Sequence, residues 1–192
     1  MRSRVRSVLL FLSSFIILSL FGPNLFAQTA GSKQGSLEER IQRLEAIEEI
    51  QQLHMHYVNI YSGFEKGDVG SLFAKDGVCA AFPGEPIKGR EAIAKLYARV
   101  THADGTKGGV DNSKNGVFAV HPMITVEGEK AKATWMFLNL VSHPTTNQML
   151  FFVQGVYDAE YVKEDGEWKF SFLKWTARIV PEGLQPGETA KQ

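Results

Sequence analysis

The order of the secondary-structure signals predicts an α+β protein with an antiparallel sheet. Helical periodicity is confined to the part of the chain before residue 100, and long segments rich in Val, Phe, Tyr, Trp and Thr follow it. Helices first and a meander of strands last is typical of a sheet with helices on one side. With 192 residues, of which 44% are hydrophobic and 22% charged, the chain has the composition of one globular domain rather than of a disordered protein.

The first 27 residues have the features of a secretory signal peptide. Three arginines precede an apolar run over residues 8–21, and Gly22-Pro23 and Ala27 follow it. The run is shorter than the roughly 20 apolar residues of a membrane-spanning helix, so we expect cleavage after Ala27 and export to the periplasm or beyond, with a retained membrane anchor as the alternative. A flexible linker is expected over residues 28–35, the folded domain over 36–181 and a disordered tail over 182–192.

The charge and the cysteine content exclude several classes of protein. The chain has 21 basic and 21 acidic side chains, and taking away the three N-terminal arginines leaves 18 basic ones and a net charge of −3. A chain without a basic cluster is a poor nucleic-acid binder, and the single Cys79 excludes an internal disulfide or a zinc site built from cysteines. His54 and His56 point about 200° apart on a helix. Because His102 and His143 add no metal-ligand spacing, we predict no metal and no cofactor.

Three helices are predicted before residue 101. Ser36 and Glu39 form a capping box, and apolar residues then recur every three or four positions until the helix ends near Ser62-Gly63. A short helix is expected over residues 68–73, a third helix over 89–100, and a long loop over the glycine-rich residues 101–115. The predicted strands are residues 77–82, 87–88, 116–126, 130–142, 148–162 and 167–180.

Several segments, taken in order, resemble the SnoaL-like domains of the nuclear transport factor 2-like superfamily. They are residues 37–50 with Leu53 and Tyr57, residues 67–68 with 72–78, residues 87–93, residues 122–131, and residues 155–157 with 164–170. The resemblance is to the branch of scytalone dehydratase, bile-acid dehydratase and hexachlorocyclohexane dehydrochlorinase. It implies a cone-shaped α+β barrel, in which three N-terminal helices pack on a strongly curved antiparallel sheet and enclose an apolar pocket.

The catalytic dyad that the resemblance implies is missing from this chain. In the dehydratase and dehydrochlorinase branch a histidine serves as the base and an aspartate near the end of the first helix orients it. The matching positions are Val117 and Ser62, and the nearest acid, Glu65, is predicted to be a solvated surface group. Two functions therefore stay open: binding of a small hydrophobic molecule without catalysis, or a lyase or isomerase reaction on a small hydrophobic or aromatic substrate.

The candidate catalytic residues are His121 and Tyr57. His121 lies four positions after Val117, which places it on the same face of a regular strand, and Tyr57 matches a tyrosine that is common in the first helix of the family. Each also has a structural interpretation as a packed core residue. The candidate pocket residues are His54, Tyr61, Ser62, Val117, Trp135, Phe137, Asn139 and Gln154.

The expected partners are a small hydrophobic molecule and a second copy of the chain. Residues 133–141 and 149–153 are apolar at both odd and even positions, which indicates a sheet covered on both faces. In the superfamily the convex side of the sheet commonly pairs with a second subunit, so the resemblance implies a homodimer. Contact with a membrane is expected only through the signal segment.

Overall fold

The computed structural model describes residues 35–82, 84–100, 116–143, 146 and 148–182. The predicted signal peptide, the loop over residues 101–115 and almost all of the linker and tail lie outside the described residues. The chain divides into two compact units, Met1–Arg40 and Ile41–Gln192, and only the start of the first helix is described in the former. Among the described residues, no helix combines the length and the apolarity needed to cross a membrane.

The first helix, α1, spans Leu37–Tyr61 and has the predicted ends. The backbone N–H of Ser36 donates to Glu39 Oε2 at 2.7 Å and that of Glu39 to Ser36 Oγ at 3.1 Å, which is the capping box. At the other end Gly63 has a φ of +73°, and the N–H groups of Gly63 and Phe64 donate to helix carbonyls three and five positions earlier. This arrangement is a Schellman motif, and it makes Ser62 the last residue before the chain turns away.

The structure contains two α-helices in its described residues rather than three. Residues Val69–Leu72 form a single 3₁₀ turn, capped by Asp68 Oδ1, which accepts from the N–H of Gly70 at 2.8 Å. The predicted helix over residues 68–73 is therefore wrong: Phe73 already belongs to the first strand, which leaves room for one turn only. The second helix, α2, spans Arg90–Val100 as expected.

The described strands form one open, six-stranded sheet. They are β1 (Phe73–Ala80), β2 (Ile87–Lys88), β3 (Gly116–Glu127), β4 (Lys130–Ser142), β5 (Met149–Glu164) and β6 (Glu167–Ile179), in the order β2-β1-β6-β5-β4-β3. Strands β3 to β6 form the predicted antiparallel meander, but β1 runs parallel to β6, so the sheet is mixed. The predicted α+β class is confirmed. The predicted barrel is not closed, because β2 and β3 remain edge strands.

Alternating side chains give the long strands two different faces. The inner face packs on α1: the ring of His54 stacks on Trp135 with centroids 4.2 Å apart, and Tyr57 meets Phe170 edge to face at 5.7 Å. The outer face carries the intervening side chains, such as Lys132 and Met136 of β4, which are exposed. We call the end of the sheet where β3 and β5 begin and β4 ends the upper end, and the opposite end the lower end.

Candidate ligand-binding site

The two positions of the missing dyad lie together at the upper end. Ser62 is fully buried at the end of α1, and its Oγ accepts a hydrogen bond from the backbone N–H of Val117 at 3.2 Å. Since β3 is an edge strand, its N–H groups on the side away from β4 need a partner outside the sheet, and Ser62 supplies one. A serine hydroxyl and a valine side chain offer no group that takes up a proton at neutral pH.

Asn139 is the polar neighbour of these two residues on the inner face. It lies directly opposite Val117 in the β3–β4 register and opposite Val153 in the β4–β5 register. Its Oδ1 is buried and has no hydrogen-bond partner among the described residues. A buried acceptor without a donor costs free energy, so Asn139 Oδ1 is an acceptor whose hydrogen-bonding capacity is unused within the described part of the chain.

A second polar group lies deeper, around His54. The phenol oxygen of Tyr161 accepts from Trp135 Nε1 at 3.1 Å and lies 3.0 Å from His54 Nδ1. The tautomer of the neutral imidazole decides which of His54 Nδ1 and the Tyr161 hydroxyl donates, and in either tautomer Nε2 has no hydrogen-bond partner among the described residues. Full burial lowers the pKa of His54 to about 3, so the ring is neutral at physiological pH.

A third group joins α1, α2 and β1. The hydroxyls of Tyr57 and Tyr97 are 3.0 Å apart, and Cys79 Sγ lies 3.6 Å from that of Tyr97. Burial raises the pKa of both phenols and of the Cys79 thiol, so all three are protonated at neutral pH. The sequence offered a core interpretation for Tyr57, but local patterns could not show its bond to Tyr97, because the two residues lie on different helices.

Half-buried apolar side chains surround the upper end of the inner face. The Trp175 indole N–H donates to the Ala81 carbonyl, and the Trp175 ring meets Phe137 edge to face at 5.4 Å. Side chains of this kind are partly accessible while packed on the core. They are Tyr61, Phe82, Phe151, Trp175, Ala177 and Val180.

Two candidate residues point away from this site. His121 is exposed and has a φ of +51°, and the β3–β4 register shifts between Val120 and Met123. This bulge breaks the alternation, so the expectation that His121 shares a face with Val117 is wrong. Gln154 lies between the buried Val153 and Gly155 and therefore on the outer face, where its amide N–H donates to the Gly155 carbonyl at 3.4 Å.

The other polar candidates lie outside the cluster as well. Glu65 pairs with His56, whose Nδ1 is 3.0 Å from each carboxylate oxygen, and both side chains are partly exposed. His143 Nδ1 accepts from the N–H of Thr146 at 3.3 Å, and His102 lies outside the described residues. Within the described ranges, no three His, Cys, Asp or Glu side chains are grouped so that they could hold a metal ion.

A cavity of about 640 Å³ lies at the lower end of the sheet. Its walls carry the Lys132–Glu160 ion pair, with Nζ and Oε1 2.8 Å apart, and Glu164, which pairs with Arg90. The hydrogen bond from the N–H of Lys75 lowers the pKa of Glu164, which stays ionised. These charged groups already have partners, and the cavity is separated from Ser62 and Asn139 by the length of the strands.

The chain combines a helix packed on a six-stranded sheet with a buried polar cluster between them. This combination can be compared with known protein families. The family model of the SnoaL-like domain matches residues 42–174, and the chain belongs to this family. No curated protein sequence matches the chain.

Solved structures share the fold at low sequence identity. A protein described as NTF2-like with a cystatin-like fold, from Novosphingobium aromaticivorans, is 22% identical with a TM-score of 0.60, over 81% of this chain and 95% of that one. Hexachlorocyclohexane dehydrochlorinase LinA-type3 from Novosphingobium barchaimii LL02 is 21% identical with a TM-score of 0.59, over 76% and 97%. A variant of Rv3472, a protein of unknown function from Mycobacterium tuberculosis, is 20% identical with a TM-score of 0.59, over 76% and 79%.

Proposed function

We propose that this SnoaL-like protein binds a small, uncharged, largely apolar molecule at the upper end of the inner face, without acid–base catalysis. The observation that carries the proposal is the hydrogen bond between the Val117 N–H and Ser62 Oγ. Val117 and Ser62 stand at the positions of the catalytic base and its orienting acid, and both of their side chains are neutral. The apolar side chains around this place, among them Phe151 and Trp175, suit an aromatic or alicyclic ligand.

The alternative, a lyase or isomerase, needs a base that is effective near neutral pH. His54 is a weak base because its pKa is lowered to about 3, and the raised pKa of Tyr57 keeps that phenol protonated. His121, the other candidate, is exposed at a bulge of β3. Non-catalytic binding is therefore better supported.

Binding can be tested with N-phenyl-1-naphthylamine, an uncharged probe that fluoresces in apolar surroundings. Phe151 is half-buried on the inner face, and the next residue, Phe152, is exposed on the outer face. We expect saturable binding that is about tenfold weaker in Phe151→Ser, because an aromatic contact is lost, and unchanged in Phe152→Ser. Equal effects of the two substitutions, or no saturable binding, would contradict the proposed site.

Catalysis can be tested on whichever compound binds. We expect NMR spectra of the compound to stay unchanged during prolonged incubation with the protein. If a product forms and its formation is abolished by His121→Ala or Tyr57→Phe, the protein is an enzyme of the lyase or isomerase type.

We also propose that the protein is exported. The support is the sequence of residues 1–27, with its arginines, apolar run and Ala27. The intact mass of the protein from periplasmic or culture fractions should correspond to a chain that starts at Gln28. A full-length mass in the membrane fraction would instead indicate a retained anchor.

A further inference from the structure

The cavity of about 640 Å³ at the lower end, which we call the lower cavity, extends across the sheet. Its lining residues belong to β1, β6, β5, β4 and β3, which are neighbours in this order. Four interstrand steps of about 4.8 Å separate β1 from β3, so the lower cavity spans about 19 Å along the sheet. It is an elongated space with the volume of a small-molecule site.

Small or aliphatic residues form the middle of the lower cavity. They are Ala74, Gly77, Ala131, Val162 and Ser171. Among the described residues that line it, Tyr161 is the only aromatic one, and its ring packs on Phe170 at the inner face, with centroids 5.1 Å apart. An aromatic ligand or a quaternary ammonium group would therefore have no ring to stack on. A thin aliphatic chain suits this lining better.

The charged groups of the lower cavity are mainly acidic. Four carboxylates and two ammonium groups line it: Asp76, Glu127, Glu160, Glu164, Lys130 and Lys132. Glu160 and Glu164 are in the ion pairs described above. Asp76 and Glu127 form no ion pair and no side-chain hydrogen bond with any described residue, and they lie on β1 and β3, at opposite borders of the lower cavity.

Lys130 is the unpaired base of the lower cavity. It lies directly opposite Glu127 in the β3–β4 register but forms no ion pair with any residue that the structure describes. Its charge therefore reduces the negative potential near Glu127 without neutralising the carboxylate through a direct contact.

We infer that the lower cavity binds a linear aliphatic diamine or polyamine, with one ammonium group at Asp76 and another at Glu127. Aliphatic amines are protonated at neutral pH, as lysine is. Two unpaired carboxylates at opposite borders match two positive charges on one extended chain, and the small side chains between them suit its methylene groups. This site lies at the other end of the strands from the proposed upper site and does not depend on it.

The test compares 1,8-diaminooctane with octylamine, which has the same chain and one ammonium group, by NMR titration of the ¹⁵N-labelled protein at low salt. We expect the diamine to bind about fivefold more tightly and to shift the amides of Asp76, Gly77, Glu127 and Ser171. In Asp76→Asn, and likewise in Glu127→Gln, the difference should fall to within about twofold because one unpaired carboxylate remains. Asp165→Asn, which removes the same charge at the β5–β6 turn outside the lower cavity, should leave the difference unchanged.

Lys130→Gln should have an effect of opposite sign. Removing the base that lies across from Glu127 should tighten binding of the diamine by about two- to threefold. The side chains of Asp76, Glu127, Lys130 and Asp165 are all exposed, so we expect these variants to fold.

Three results would overturn the inference. They are equal binding of the two amines to the wild-type protein, amide shifts confined to the upper end, and an effect of Asp165→Asn as large as that of Asp76→Asn. The last of these would mean that amines are attracted to the acidic surface in general and that the lower cavity is not a site for them.

Discussion

At the scale of single residues, His54 shows how burial sets the charge of the site. The imidazole is surrounded by aromatic rings and is neutral in the folded protein, with its pKa lowered from 6.5 to about 3 by desolvation. In the unfolded chain the same ring takes up a proton below about pH 6.5. The unfolded state therefore binds more protons than the folded state between these two values, and stability falls as the pH is lowered through this range.

We predict that the protein loses about 2 kcal/mol of unfolding free energy between about pH 7.5 and about pH 5 through His54 alone. Urea unfolding at the two pH values measures this loss. His54→Gln should remove most of the difference, since glutamine does not titrate. His56→Gln, an exposed position on the same helix, should retain it. A wild-type-like pH dependence in His54→Gln would show that another group is responsible.

The same scale shows which site residues the sequence can indicate. Tyr57 is buried on the side of α1 that helical periodicity predicted, and the candidate pocket residues Trp135 and Phe137 are buried on the inner face. Periodicity misplaced His121 because a bulge adds a residue there; Pro122 was the available signal, since proline within a strand is confined to edges and bulges. Periodicity also could not show that Ser62 bonds Val117, 55 positions later. Contacts between distant segments depend on tertiary packing, which local patterns do not contain.

At the scale of secondary-structure elements, Gly155 illustrates how tightly β5 packs. A Cβ at this position would collide with the Thr176 carbonyl oxygen and would lie 2.5 Å from Cε1 of the Phe137 ring. At Gly116, also in a long strand, the nearest contact of an added Cβ is 3.3 Å, to the ring of the exposed Phe118. Gly155 and Gly116 both lie in long strands, and they differ in the space available for an added Cβ. They can therefore be compared directly by substitution with alanine.

We predict that Gly155→Ala lowers the free energy of unfolding by about 2 to 4 kcal/mol, whereas Gly116→Ala changes it by less than about 0.5 kcal/mol. The measurement is chemical denaturation followed by tryptophan fluorescence. Equal effects of the two substitutions would mean that β5 can shift to accommodate a methyl group at residue 155.

Ser62→Ala tests the connection between α1 and β3. The substitution leaves the buried N–H of Val117 without an acceptor, which costs about 1 to 3 kcal/mol. We predict that hydrogen exchange of the Val117 amide accelerates more than that of the Phe118 amide, which points toward β4 and belongs to the β3–β4 ladder. Uniform acceleration across β3 would instead indicate a general loss of stability.

The elements themselves were largely predictable, and their arrangement was not. The turn sequences around Gly128 and Gly166, both at positive φ, marked the β3–β4 and β5–β6 hairpins to within a few residues. The parallel pairing of β1 with β6 joins segments about 100 residues apart. No hairpin connects these two strands, so no local turn sequence predicts that they pair. The 3₁₀ turn was mistaken for a helix because its capping residue, Asp68, is the same for both.

At the scale of the whole molecule, the polarity of the outer face of the sheet differs between its lower and upper parts. Its lower part carries paired charges such as Lys132 and Glu160, whereas its upper part is apolar and includes Phe118, Val120 and Met136. These three side chains are 41% to 52% exposed, and they are neighbours in the β3–β4 register. Apolar side chains grouped in this way favour contact with another protein surface.

We propose that a second copy of the chain covers this apolar area, as the homodimer expected from the resemblance would require. An interface on a two-fold axis uses the same area from both copies, so one charge introduced there is buried twice without a counter-charge. Phe118→Glu should therefore convert the dimer to a monomer in sedimentation equilibrium, with a dimer dissociation constant at least about 100-fold higher than that of the wild-type protein. Gln51→Glu, which adds the same charge at an exposed position of α1, should remain dimeric. A wild-type protein that is monomeric at all concentrations, or a Phe118→Glu variant that stays dimeric, would show that this area does not join two copies.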